Sequence, residues 1–343
     1  MRTETRIVFN GFLGQVAKLN GVSSAEQKFN VTPAVQQKLE TAIQESSALL
    51  QKVNVITVTE QEGESILLGV NGPIASRTNT KGGNRRNPLD RSALAKDSYS
   101  CKQTNFDSAF PYPLIDAWAR FPDFQVRLSK AITERQALDR IMIGFNGTSA
   151  EAATDITANP LLQDVNKGWL QKIREGATDR VLDSGKTEGK ITINPEKNAD
   201  GSFVGDFGTL DGLVYDLVQM LEPWHRSRPD LVVLISRDLM HNKLLAAVEK
   251  GGSSNVEANA ADEIVAKARV GGLPVVDAPF FPEGTILVTT LANLSIYVQE
   301  GGRRRYLKDE PEYDRIADYQ SSNDAYVIED FGLVALAEHV EAV

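Results

Sequence analysis

Residues 76–88 read Ser76-Arg77-Thr78-Asn79-Thr80-Lys81-Gly82-Gly83-Asn84-Arg85-Arg86-Asn87-Pro88. No apolar periodicity runs through them. Upstream, Val53-Asn54-Val55-Ile56-Thr57-Val58 alternates as a strand does, and Ile66-Leu67-Leu68-Gly69-Val70 does so more loosely. A structureless polar stretch this long is unusual inside a compact domain and is usually functional. Residues 51–105 hold eight basic and five acidic side chains, a net +3 in a chain of formal net charge -9. A long, basic, strand-flanked arm reads as a device for reaching another molecule, with Arg77, Lys81, Arg85, Arg86 and Arg91 as its contact candidates.

Upstream of the arm, Phe9, Phe12, Leu13, Val16 and Leu19 mark one face of a helix that Asn20-Gly21 stops. Residues 22–30 are polar and expected to be exposed, which suits a protease, so Phe29 and Asn30 are taken as the processing region. Thr32-Pro33 starts a second helix, with Thr32 as N-cap. Downstream, the spacing from Trp118 to Phe145 predicts a long helix ending at Asn146-Gly147, with Pro122 near its start. Residues 205–300 read as an α/β unit. Thr209 caps a helix, Leu231-Val232-Val233-Leu234-Ile235 is a buried strand, and helices are expected at 237–250 and 258–269. Strands are expected around Pro274–Val276, Ile286–Val288 and Ser295–Gln299. Ala325–Glu329 and Leu333–Ala337 are expected to pair as a hairpin across Phe331-Gly332. Residues 306–343 carry ten acidic and two basic residues, net -8. Asp309, Glu310, Glu312 and Asp314 are therefore candidate partners for a neighbour's basic arm. Arg303, Arg304 and Arg305 are candidates for pairing with carboxylates of a neighbouring subunit.

The length suggests about two domains, and 41% hydrophobic residues can form a real core. The acidic balance argues against a protein that grips nucleic-acid phosphates. Cys101 is the lone cysteine, so no intrachain disulfide is possible, which fits a reducing cytoplasm. No apolar run approaches the length needed to span a bilayer. A search for chemistry finds none. His225, His241 and His339 have no second histidine or cysteine at ligand spacing. No serine sits in a nucleophile elbow, and Lys81-Gly82-Gly83 is no phosphate loop. No catalytic residue, cofactor site or metal site is expected.

Ordered along the chain are Arg2-x-Glu4-Thr5-Arg6, Gln44-Glu45-Ser46-Ser47, Trp118-Ala119-Arg120-Phe121, Gly144-Phe145-Asn146-Gly147 and Asn159-Pro160-Leu161-Leu162-Gln163-Asp164-Val165. Gly168-Trp169-Leu170-Gln171-Lys172, Glu222-Pro223-Trp224, Asn293-Leu294-Ser295-Ile296-Tyr297 and Tyr326-Val327-x-Glu329-Asp330 follow. With these segments the chain resembles the major capsid proteins of the P-two-like tailed phages (peduoviruses). The resemblance implies an α+β fold of the Hong Kong 97 type. Residues 1–50 would be an N-terminal arm, 51–105 an extended β-hairpin loop, 106–204 a peripheral domain with a long spine helix, 205–300 an α/β axial domain, and 301–343 return strands of the peripheral domain. It also implies a structural subunit that assembles with copies of itself into hexamers and pentamers of an icosahedral head. The head would enclose double-stranded DNA without sequence-specific binding. Scaffold, prohead protease and portal are the implied partners, with assembly in the host cytoplasm, no membrane, and part of residues 1–50 removed on maturation. Residues 176–207 diverge most, so the resemblance assigns them no path, and no C-terminal appendage is expected after Val343. The rival reading is a nucleic-acid-binding or scaffold-associated α/β protein that forms no shell.

Overall fold

The apolar run at 231–235 needs burial on both faces, and one half of the fold is arranged around it. The computed structural model describes residues 1–70, 75, 77, 92–118, 124–241, 243 and 269–342. The helices are α1 (Thr3–Asn20), α2 (Pro33–Glu45), α3 (Tyr112–Trp118), α4 (Phe124–Asn146), α5 (Trp169–Gly176) and α6 (Leu210–Met220). The first strands are β1 (Phe29–Asn30), β2 (Asn54–Val58), β3 (Glu62–Val70), β4 (Ser92–Ser100), β5 (Lys102–Asn105), β6 (Ser108–Pro111), β7 (Val181–Leu182), β8 (Ile191–Ile193) and β9 (Val232–Ile235). After these come β10 (Arg269–Val270), β11 (Leu273–Val276), β12 (Ile286–Thr289), β13 (Leu294–Gln299), β14 (Arg304–Glu310), β15 (Arg315–Ile328), β16 (Ala335–Ala337) and β17 (Val340–Ala342).

Among the described residues, β9 lies inside a six-stranded sheet ordered β10-β11-β9-β12-β16-β7. Leu234, Leu287 and Leu336 point to one core, shared with α4 and α5. Val233, Ile235, Ile286, Val288 and Ala335 point to another, covered by Leu213, Val214 and Leu217 of α6. Burial on both faces is why the run is apolar without alternation. Thr209 caps α6 as expected, its hydroxyl accepting from Gly212 N at 3.1 Å.

A seven-stranded sheet is built on the 14-residue β15, which pairs with β13, β14, β5 and β6. This strand corrects the expected hairpin. Residues 324–328 pair with β13, whereas β16 joins β12 in the other sheet. The 3-10 turn Phe331–Leu333 therefore carries the chain between sheets. The stretch 176–207 runs through β7, parallel to β16, and β8, parallel to β17. Of the helix expected at 237–250, residues 237–241 and 243 are helical and the rest lie outside the described residues. Most of the helix expected at 258–269 also lies outside them, and its last residue, Arg269, belongs to β10. Pro122 lies outside them as well, between α3 and α4.

The N-terminal helices fall where the sequence places them. Gly21, at φ 65°, ends α1 in the left-handed conformation. Thr32 occupies the N-cap position of α2, but its side chain makes no capping bond. The segment between them is exposed in part, as expected, at Ser23, Glu26, Gln27, Lys28 and Asn30, whereas Ala25 and Phe29 are buried. Phe29 and Asn30 pair antiparallel with Arg305 and Arg304 of β14. Phe29 packs with Val16, Ala25, Val31 and Leu307 in a small core. Its apolar side chains, few in a polar stretch, are placed by that core.

Candidate assembly surfaces and a buried charge cluster

On α4, Gln136 and Arg140 lie one helical turn apart, so both face the sheet. There they meet the polar middle of β15. Arg140 donates from Nε and Nη2 to the two Asp324 oxygens at 3.1 and 3.3 Å, and from Nη1 to Glu40 of α2. Arg303 donates to Glu40 Oε1 at 2.8 Å, Gln136 Oε1 at 2.7 Å and Gln320 Oε1 at 3.2 Å. Two guanidiniums and two carboxylates thus balance inside the protein, joining α2, α4, β15 and the approach to β14. Burial opposes ionisation of Glu40, yet the Arg140 and Arg303 charges hold its carboxyl below the ordinary range. Burial raises the Asp324 carboxyl, opposed by Arg140 and reinforced by the Glu40 charge.

This cluster removes Arg303 from the candidates for contact between subunits. It is 1% exposed, and its charge is met within the chain. Arg305 is half-buried and donates to Asp318 at 3.0 and 2.7 Å. Arg304 is half-buried on the opposite side of β14. Asp309 accepts from Arg6 and Tyr112 of the same chain. Glu310 is buried and accepts from Arg315 at 2.8 Å and Tyr319 at 3.0 Å. The sequence reading of residues 306–343 as free negative surface is therefore corrected. Much of that charge is spent inside the sheet, on Arg140, Arg305, Arg315 and, through Glu338, Arg174. Glu312 and Asp314 remain exposed, as does Arg77. Lys81, Arg85, Arg86 and Arg91 lie outside the described residues.

A second acidic feature is one that sequence reasoning missed. The α4 face from Leu128 to Ile143, the β5–β6 segment and the loop 151–165 enclose a cleft of about 630 Å³. Among the described residues Asp107, Asp139, Glu151 and Asp164 line it, with Arg135 as the one cation. Arg135 pairs with Asp139 at 2.7 Å. Burial pushes up the carboxyls of Asp107 and Asp139. The loop is held by Asp164, which accepts from Asp155 N at 2.7 Å and Asn159 Nδ2 at 3.1 Å. These acids come from segments dispersed in sequence, so no local pattern signals the cleft.

Cys101 is fully buried, and burial, with Asp324 nearby, pushes its thiol up to about 12. A thiol held protonated is a poor nucleophile. Among the described residues no group of three or more His, Cys, Asp or Glu could hold a metal ion. No helix among them is long and apolar enough to cross a membrane.

The family model "Phage major capsid protein, P2 family" matches residues 8–340. The chain belongs to this family. It is 44% identical to the "Capsid proteins" of Escherichia phage P2 over 99% of its own length and 96% of the relative's. It is 43% identical to the "Major capsid protein" of Serratia phage KSP20, covering 99% and 97% of the two chains. A chain of the satellite phage P4 procapsid, solved with its size determination (Sid) protein, superposes with a TM-score of 0.80 at 39% identity, covering 100% of this chain and 99% of that one. A capsid chain of a native GTA particle shares the fold at 15% identity and a TM-score of 0.51, covering 86% and 91%. P2-family major capsid proteins form icosahedral shells, so this chain is a structural component of a phage virion. That sets aside the rival reading of a protein that builds no shell.

Proposed function

We propose that this P2-family subunit has the Hong Kong 97-type layout and builds its shell from hexamers and pentamers. In that layout residues 1–50 form the N-terminal arm and 51–105 the extended loop. Residues 106–204 form the peripheral domain with α4 as spine, 205–300 the axial domain and 301–343 the strands returning to the peripheral domain. The observation that carries the proposal is the β3–β4 hairpin. Over nine register pairs its two strands pair with each other and with no other strand among the described residues. A two-stranded ribbon is at best marginally stable alone in water. At about 3.3 Å per residue it carries the Val70–Ser92 pair roughly 30 Å from Ser100. Such a ribbon calls for another molecule's surface, and in a ring one patch meets a different patch on the next copy.

Ile156, Tyr215 and Trp224, each at least 63% exposed, suit burial between subunits. Arg77, Arg304, Glu312 and Asp314 stay as charged contacts, which guide register more than they supply adhesion. The shell encloses double-stranded DNA without reading it, and the subunit works without catalysis. It assembles in the host cytoplasm with a scaffold and a portal. A prohead protease removes the start of the chain near Phe29 and Asn30, which requires local opening of the two-residue β1 from β14.

Replacing residues 71–91 by a short Gly-Ser turn is the test. The subunit should keep its circular-dichroism spectrum and melting temperature, yet give no closed shells by electron microscopy. Normal shells from that variant would refute the role of the hairpin.

A further inference from the structure

The loop 221–230, between α6 and β9, lies against the turn that carries the chain from one sheet to the other, and Glu222 N donates to Gly332 O there at 3.0 Å. His225 of this loop is buried. Its Nε2 stands 2.9 Å from Asp330 Oδ2 and 3.0 Å from the indole Nε1 of Trp224. The two contacts make opposite demands. A carboxylate only accepts, so the Asp330 contact needs a proton on Nε2. An indole only donates, so the Trp224 contact needs the Nε2 lone pair. One ring nitrogen meets one of these demands at a time. We infer that His225 is a proton-operated switch that holds or releases the indole of Trp224, and that the released indole is the form a second copy of the chain takes up.

Of the two partners, Asp330 is the fixed one. Its Oδ1 accepts from Gly332 N at 2.7 Å, its N–H donates to Asn293 Oδ1 at 2.8 Å, and its carbonyl accepts from Asn293 Nδ2 at 2.9 Å. Trp224 is 63% exposed, so the indole is the group that gives way. A neutral imidazole has one tautomer that leaves Nε2 bare for Trp224. An imidazolium carries a proton on both nitrogens; it donates to Asp330 and has no lone pair for Trp224. The bond between imidazolium and carboxylate is charge-assisted and the stronger of the two. Protonation therefore acts in one direction, toward release. The charged groups around the ring are Asp330 from the turn, Arg228 and Asp230 from its own loop, and Arg180 and Glu222 beside Gly332. Arg228 pairs with Asp230, and Arg180 with Glu222, which leaves Asp330 as the carboxylate in contact with the ring. The second half of the inference rests on reading Trp224 as a contact between subunits. A tryptophan buried at an interface gives a large apolar area and takes a partner for its N–H. In a shell, the partner present at every site is another copy.

NMR of the full-length, unassembled subunit reads the indole directly. The Nε1–H signal missing from Trp224→Phe belongs to Trp224. It should shift with a single midpoint between about pH 8 and about pH 5, the range in which histidine side chains change charge. His225→Gln should abolish the shift, because a glutamine offers an acceptor to Trp224 and a donor to Asp330 at every pH. A signal that does not move, or that moves equally in His225→Gln, would overturn the switch. Shell assembly tests its use. Measured against His225→Gln, the parent should form shells at a roughly fivefold lower subunit concentration at about pH 5.5 than at about pH 8, the worth of about one net hydrogen bond. Trp224→Phe, a change at an exposed position, should flatten that dependence as well. Equal dependence in all three proteins, with the NMR shift present, would leave the switch standing and overturn the reading of Trp224 as a contact between copies.

Discussion

Arg140→Met is expected to lower the unfolding free energy of the subunit by about 3–5 kcal/mol, the range for stripping one partner from a buried ion pair. The stem volume is retained, so the loss is electrostatic. Asp324, 1% exposed, would keep no guanidinium in contact, and Glu40 would keep only Arg303. Denaturant titration of the isolated subunit measures the loss; a shift under about 1 kcal/mol, as for an exposed pair, would contradict the buried cluster. The two carboxylates should respond unequally. Glu40→Gln should cost more than Asp324→Asn, because Glu40 is held ionised while burial already disfavours the Asp324 charge. The pH dependence follows the same signs. The Glu40 pKa is depressed on folding, so its contribution is complete above its unfolded value of about 4.3 and is lost as the pH falls through the folded one. The Asp324 pKa is raised, so protonating it in acid partly offsets that loss.

Trp169→Ala is expected to cost about 3–5 kcal/mol, the usual range for deleting a buried indole. Trp169 is fully buried, and its Nε1 donates to Ser295 O at 2.9 Å. Its ring meets those of Phe145 and Tyr326 edge-on, at 5.2 and 5.4 Å between centroids. The side chain therefore ties α5 to both α4 and the β13–β15 pair, and truncation leaves a cavity where three elements join. Gly144 shows how tight the joint is, for a Cβ there would lie 2.4 Å from the indole. Trp169→Phe should recover part of the stability but not the hydrogen bond to Ser295 O. Thermal melts of the three proteins check the order, and an alanine variant melting with the parent would contradict it.

The parts of the fold legible in the sequence are those governed by local rules. Gly21 ends α1, Thr32-Pro33 opens α2, and the apolar run at 231–235 is a strand buried on both faces. Residues 318–324 of β15 were not legible, because Asp318, Gln320 and Asp324 break the apolar alternation by which a strand is recognised. They are polar because they face Arg140, Arg303 and Arg305, and those partners are contributed by tertiary structure. Arg303 illustrates the same limit. Within Arg303-Arg304-Arg305 it reads as surface charge, and its carboxylate partner Glu40 lies 263 residues away. The acidic cleft was hidden for the same reason, since Asp107, Asp139, Glu151 and Asp164 share no motif. The hairpin was partly legible. Its basic tip and the strand leading into it stand out, whereas β4 does not, its Ser-Ala-Leu-Ala-Lys-Asp-Ser being weak in strand formers.

The central claim is that the hairpin joins one subunit to the next. Electron cryomicroscopy of shells assembled from the full-length chain tests it directly, by tracing residues 62–100 in an icosahedral reconstruction. The expected map carries β3 and β4 off their own subunit and onto the surface of a neighbour. A map in which the hairpin folds back on its own chain and touches no other copy would contradict the account.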